Sequence, residues 1–307
     1  MIIRQSLPDL DLESMLPAID EVIINRYNRV PPQFKRIYRM LKSDRSIEQT
    51  TEVSGLTTFT EVPDGQAGRY DTLLPGFRKT YTHLQYSNGF KVTKVTMDND
   101  KFAVFKKASG ELGKSAMETQ ELAAAYNFNR GFDPTYPGWD NQPLFSTAHP
   151  LAGGGVQSNM LAIAADPDVD SIRAIITLMA RTVNQRGQLI NLPPKTLVVP
   201  PELSFLGAEM LMSDDRPDTA NRATNAFKKN LGFGMLSELF QWRYLADPHA
   251  WFVMADPTDT ELRFYEREAF NVTHGVDFES RALKTMGWMQ FSTGWNGFYG
   301  VAGSPSA

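Results

Sequence analysis

The eight residues Ala108-Ser-Gly-Glu-Leu-Gly113-Lys114-Ser115 fit a relaxed phosphate-binding loop, with alanine in place of the first glycine. Backbone amides and Lys114 would cradle phosphates, and Ser115 would hold magnesium. Trp251–Asp256 supplies a matching apolar run ending in a carboxylate. Such a loop must leave a buried strand and open a helix, yet Asp98–Lys107 already follows helical spacing. Two glycines and a lysine on one long helix is the better reading. His83, His149, His249 and His274 show no metal-ligand spacing, and with no cysteine a zinc site would need distant ligands. Lone histidines of this kind read as hydrogen-bonded structural residues. Asp214-Asp215 and Glu266/Glu268 could serve as general acid and base, but adjacency in a polar stretch is weak evidence; a GxSxG elbow is absent, and Ala152-Gly155 lacks a lysine. None of these patterns requires catalysis.

The elements that would position such residues have an unusual layout. Residues 8–30 read as a helix, because Leu12, Leu16, Ile19, Ile23 and Tyr27 share one stripe and Pro31-Pro32 ends it. From Gln49 to Met97 the texture is strand-like, broken at Pro63–Gly68, with Leu84, Tyr86, Phe90 and Val92 on one face of a return arm. A long helix follows over 98–131, capped by Asp98 or Asn99, carrying Phe102, Phe105, Leu112, Ala116, Ala123 and Tyr126, and stopped by Gly131. An ordered aromatic loop, 132–155, leads to an α/β stretch. There, a helix opens at Asp168 or Asp170, Thr196–Val199 is a strand, a helix starts at Pro201, 213–229 is a polar surface loop, and strands lie at 251–255, 262–265 and 283–299.

Fourteen outgoing residues, Gln49–Val62, would reach about 45 Å at roughly 3.3 Å each, whereas a compact chain of this length has a radius of gyration near ~19 Å. A hairpin that long either bends back or finds its partner on another molecule. Left open in solvent, it would be an aggregation hazard.

The 307 residues carry 31 basic and 35 acidic side chains, a formal charge of −4, and no cysteine. This excludes a disulfide scaffold and argues against a dedicated nucleic-acid reader. The acidic start has no signal or spanning segment, which points to a soluble protein with no membrane partner. Charge is uneven, however: 26–45 holds Arg26, Arg29, Lys35, Arg36, Arg39, Lys42 and Arg45 against Asp44. A solvated arm is the plain reading of this stretch, and contact with a polyanion the sharper one.

Asn129-Arg-Gly-Phe132, then Pro143-Leu-Phe-Ser-Thr-Ala-His-Pro-Leu151, with Gly113–Ala125 upstream and Leu197-Val-Val-Pro-Pro-Glu202 downstream, closely resembles the Mu-type major head subunits of tailed bacteriophages. The resemblance covers about residues 30–300. It implies an α+β Hong Kong 97-like capsid fold: an N-terminal arm (1–48), an extended β-hairpin or E-loop (49–97), a peripheral domain (98–166 and 271–307) with its spine helix at 98–131, and an axial α/β domain (167–270). It also implies a major capsid protein, not an enzyme and without cofactor, whose pentamers and hexamers close into an icosahedral shell around DNA. Expected partners are further copies of the chain, packaged double-stranded DNA, and separate scaffold, portal and decoration proteins. The protein would reside in the virion, and in host cytoplasm during assembly. Glu61, Asp64, Arg69 and Lys79 become candidate inter-subunit residues on the E-loop. Arg26, Arg29, Lys35, Arg36 and Arg39 become candidates for facing DNA. Some relatives weld their shells with a Lys–Asn bond, but no partner for Lys79 is identifiable and no crosslink is expected. An encapsulin-like compartment shell, or a phosphate-loop NTPase using Lys114, are the alternatives.

Overall fold

A computed structural model describes residues 12–53, 55–73, 75–93, 95–96, 103–214, 225, 227, 236–277, 279–280 and 282–305. Helix α1 (Leu12–Asn28) is followed by a short 3-10 turn, Phe34–Arg36, and strand β1 (Arg39–Lys42). β2 (Ile47–Val53) and β3 (Pro75–Thr82) form an antiparallel hairpin, and β4 (Leu84–Val92) follows at once. Helix α2 (Ala103–Asn129) is the longest helix described. The minor strands β5 (His149–Pro150) and β6 (Val156–Gln157) pair with each other. Then come α3 (Val169–Ala180), β7 (Thr196–Val199), α4 (Ser204–Met212), β8 (Glu238–Gln241), β9 (Trp251–Met254), β10 (Leu262–Asp277), β11 (Ala282–Trp295) and β12 (Val301–Ser304).

Two four-stranded sheets organise the molecule, one in the order β1-β10-β11-β4 and one in the order β12-β9-β7-β8. β4 therefore belongs to the large sheet, paired with β11, and is not the hairpin's returning arm; that arm is β3. The regular hairpin is seven or eight residues long, about 25 Å by strand rise, with residues 55–73 irregular beyond it. β10 continues as one strand across the expected boundary at 270/271, with two register shifts against β11 between Glu266 and Asn271, and β12 joins the strands of 196–254 rather than those of 98–166. The short strand expected at 262–265 is thus sixteen residues long.

α2 is the common wall of the core. Phe105, Leu112 and Ala116 are buried as its stripe requires, and Ala124, Ala125 and Phe128 continue the buried face, whereas Tyr126 is exposed. The expected cap at Asp98 or Asn99, and Phe102, lie outside the described residues. Gly131 does end the helix region, but for a packing reason. Its φ is not left-handed, and a Cβ there would stand 2.6 Å from the Phe145 ring.

The first 48 residues are not a solvated arm in their described part. α1 packs on α2 through Ile19 and Ile23, and Gly113 of α2 comes so close that a Cβ would lie 2.3 Å from the Ile23 carbonyl oxygen. Phe34, Ile37 and Tyr38 are in the deepest part of the main core. The turn that carries them is seated on Glu121 of α2, whose carboxylate accepts from the backbone N–H of Gln33 and Phe34 and from Trp242 Nε1. Burial pushes this carboxyl up, while the three donors oppose the shift.

In the second sheet Leu197, Val198 and Val199 are fully buried, with α3 packed against the sheet. α3 opens on a capping box between Asp168 and Ser171, the start expected from the sequence. Most of 213–229 lies outside the described residues; within it, Asn225 and Phe227 are buried rather than surface-exposed.

Candidate assembly surfaces

The phosphate-loop reading fails on local structure. Ala108–Ser115 is helix interior, Ser109 donates to the Phe105 carbonyl, and Lys114 pairs with Glu118 one turn on, at 3.5 Å. The amides that would cradle phosphate are already spent on the helix. Asp256 is bound to Lys195 at 2.6 Å, and this bond, with donors from Thr258, holds its carboxyl down at about 2.

The histidine in the Leu-Phe-Ser-Thr-Ala-His-Pro string is structural. His149 and Asp140 are both almost wholly buried and lie 2.6 Å apart; the other ring nitrogen is 3.0 Å from Asn159 Oδ1, and the ring stacks on Phe298. Asn159 is fixed by donating to the Leu144 and Val301 carbonyls and by accepting from Ser146 N–H. Both ring nitrogens therefore face acceptors, and the motif locks the aromatic loop to the C-terminal strand.

β2 alternates cleanly in space although its letters do not. Glu48, Thr50 and Glu52 face the body while Ile47 and Val53 are exposed, so the polar side is the inner one. Beneath it Ser43 donates to Glu48, Arg263 reaches Thr50 and Tyr265, and Gln185 donates to Glu52 at 3.1 Å and to Tyr299 at 2.9 Å. Burial pushes the Glu52 carboxyl up to about 7 against its bonds to Tyr299 and Gln185, with Glu261 and Asp140 adding to the rise. On β3, Phe77 packs on Trp139, and Lys79 sits over the Trp295 ring, half-buried and with its ammonium pushed down by burial.

Beyond the hairpin, Pro63–Gln66 is a turn with Gly65 in the left-handed region. Leu56, Phe59, Val62, Tyr70 and Leu73 are all exposed. Glu61, Asp64 and Arg69 project here too, without an ion pair among the described residues. Among the described residues, the segment is tied back where Arg186 grips both Asp71 oxygens, at 3.2 and 3.0 Å, and the Thr72 carbonyl. Bonds from Thr57, with that grip, hold the Asp71 carboxyl well below the usual range.

Of the basic candidates, Arg29, Lys35 and Arg39 are exposed and Arg26 is half-buried, its stem against Gly110. Arg36 is engaged by Glu238 and by the face of Phe240. Sequence reasoning missed Glu121, the Glu52–Gln185–Tyr299 group and Arg186–Asp71. All pair residues remote in the chain, and only an acid inside an apolar helical stripe, as at Glu121, leaves any mark in one sequence.

The family model for phage capsid proteins matches residues 78–303, most of the chain. The chain belongs to the phage capsid protein family. The capsid protein also shares its fold with solved structures at low identity. The procapsid of bacteriophage JBD30 aligns at 12% identity and a TM-score of 0.54, over 96% of this chain and 75% of that one. The capsid of a native GTA particle aligns at 12% and 0.58, over 91% of each. A virus-like particle from Pyrococcus furiosus aligns at 7% and 0.53, over 94% and 98%. No curated protein matches the sequence. The fold is Hong Kong 97-like, and the chain is a major capsid protein, a subunit of an icosahedral shell.

Proposed function

We propose that the capsid protein acts without catalysis, assembling through heterologous contacts into pentamers and hexamers that enclose phage DNA. The observation that carries this reading is the segment 55–73, nineteen residues that bury no apolar side chain while exposing Leu56, Phe59, Val62, Tyr70 and Leu73. A monomer gains nothing from such a segment, which marks an interface. The hairpin of β2 and β3 with its tip 55–73, rather than the whole of 49–97, is then the E-loop, reaching a neighbour through its outer face and its tip, with Glu61, Asp64 and Arg69 at the contact and Lys79 nearer the root. The peripheral domain, expected at 98–166 with 271–307, also takes Leu262–Phe270 of β10, and the axial domain, expected at 167–270, also takes β12 (Val301–Ser304).

Arg26, Arg29, Lys35 and Arg39 line the inner surface and meet packaged duplex nonspecifically, while Arg36 braces β8. Scaffold, portal and decoration proteins are separate chains, and the shell assembles in host cytoplasm before it becomes part of the virion.

Electron microscopy of the purified full chain is the test, with closed hollow particles expected. A chain that remains monomeric under all assembly conditions would overturn the proposal. Phage DNA in the mature particle separates a virion from an encapsulin-like compartment. Neutralising Arg29, Lys35 and Arg39 together should lower DNA retention, most visibly at raised salt; unchanged retention would remove the inner-surface assignment.

A further inference from the structure

Immediately after α2, Arg130 packs against two tyrosines, its guanidinium carbon 4.4 Å from the Tyr126 ring centre and 4.1 Å from that of Tyr136. The two rings meet edge to face, 5.7 Å apart. With Asn127, Thr135, Pro137 and Trp295 they line a concavity of about 240 Å³. Both tyrosines are exposed, and Arg130 makes no ion pair or side-chain hydrogen bond among the described residues. Asp133 is engaged by Thr135 through both its backbone N–H and its hydroxyl, which hold its carboxyl down with a smaller contribution from the Arg130 charge. A guanidinium packed against two aromatic rings has less freedom to lose when its donor fork meets a carboxylate. Tyrosine, tryptophan and arginine around a hollow are also the residues that dominate interface energetics.

The complementary surface is on the same chain, and so on every copy. Segment 55–73 carries Glu61, Asp64 and Asp71 against Arg69 alone. Asp71 is taken by Arg186, which leaves Glu61 and Asp64 as its free carboxylates. They flank Val62-Pro63, exposed and apolar, and the turn closed by Gln66 N–H to the Pro63 carbonyl places Asp64 at its corner. A proline between acids suits an aromatic hollow with one arginine in its wall.

We propose that the Arg130 hollow is the receptor for the Glu61-Val-Pro-Asp64 turn of a neighbouring copy, the carboxylates pairing with Arg130 and Pro63 seating against Tyr126 and Tyr136. This rests on the shell reading and names the contact that the E-loop makes within it. Because the wild-type chain has no cysteine, the pairing can be trapped without background. Asp64→Cys and Thr135→Cys, on separate chains co-assembled into particles, should yield covalent dimers with a short bis-maleimide, while either variant alone yields none. Arg130→Glu should cut particle yield at least tenfold, and adding Glu61→Arg and Asp64→Arg should restore it. Particles that form normally from Arg130→Glu, with no mixed-chain crosslink, would overturn this contact and leave the shell intact. A yield lost in Arg130→Glu and not restored by the reversed charges, again with no crosslink, would overturn it equally. A wild-type chain that never forms particles would overturn both.

Discussion

At the residue scale, the positions that matter are buried polar groups whose partners come from distant parts of the chain. Glu52 binds Gln185 and Tyr299 at the root of the hairpin, and burial pushes its carboxyl from the ordinary glutamate range up to about 7. A raised carboxyl means that the native state holds a proton that the unfolded chain has lost. Its contribution to stability is therefore complete below about pH 4.5 and disappears as pH rises through about 7. Thermal melts from pH 5 to 8 should show a decline that is shallower in Glu52→Gln, whose neutral amide fits the site at every pH. Parallel profiles would show that Glu52 does not couple the hairpin to proton uptake. Asp71, Asp256 and Asp277 are shifted the other way by their partners, so the difference between variant and wild type is the informative quantity. Glu52 looks in sequence like any acid in a polar strand; its burial follows from Gln185 and Tyr299, each more than a hundred positions away.

At the element scale, α2 shows what periodicity can and cannot foresee. Phe105, Leu112 and Ala116 follow from spacing alone. The turn of the buried face toward Ala124, Ala125 and Phe128 arises because Phe34, Tyr38 and the second sheet pack against the helix's later turns. The same contact explains Gly113, which as letters suggested phosphate chemistry and in space lets α1 cross α2 at backbone distance. Gly113→Ala pushes a methyl into the Ile23 carbonyl. Overpacking of that kind costs roughly 1–3 kcal/mol, more than an exposed helical Gly→Ala change would return. Chemical denaturation should show that loss, with faster proteolysis within α1. A variant as stable as wild type would mean that the two helices separate freely.

At the scale of the whole molecule, the hairpin divides into a root that belongs to the fold and a tip that does not. The root is bolted down by Phe77 on Trp139, Lys79 on Trp295 and the Glu52 group. Among the described residues, the tip is tied to the body by Arg186 at Asp71 and Thr72. Replacing 56–70 with a short glycine-rich turn, which keeps Asp71 and Thr72 for Arg186, should leave the melting temperature nearly unchanged, because it removes no core side chain and shortens a loop. It should also abolish particles. If such a variant still assembled, the exposed apolar residues of 56–70 would not be an interface.

From the sequence alone came the alternation of elements, the long central helix, the start of α3 at Asp168 or Asp170 and the apolar strand 196–199. These depend on neighbours a few positions apart, whose spacing fixes which side chains share a face. Only the tertiary structure decided that β4 pairs with β11 rather than with the hairpin, that β12 crosses to the second sheet, that the basic N-terminal stretch is half core, and that Arg130 packs against two tyrosines. Each depends on residues far apart in the chain, and one sequence carries no record of which distant partner will satisfy a buried polar group or cover an aromatic face.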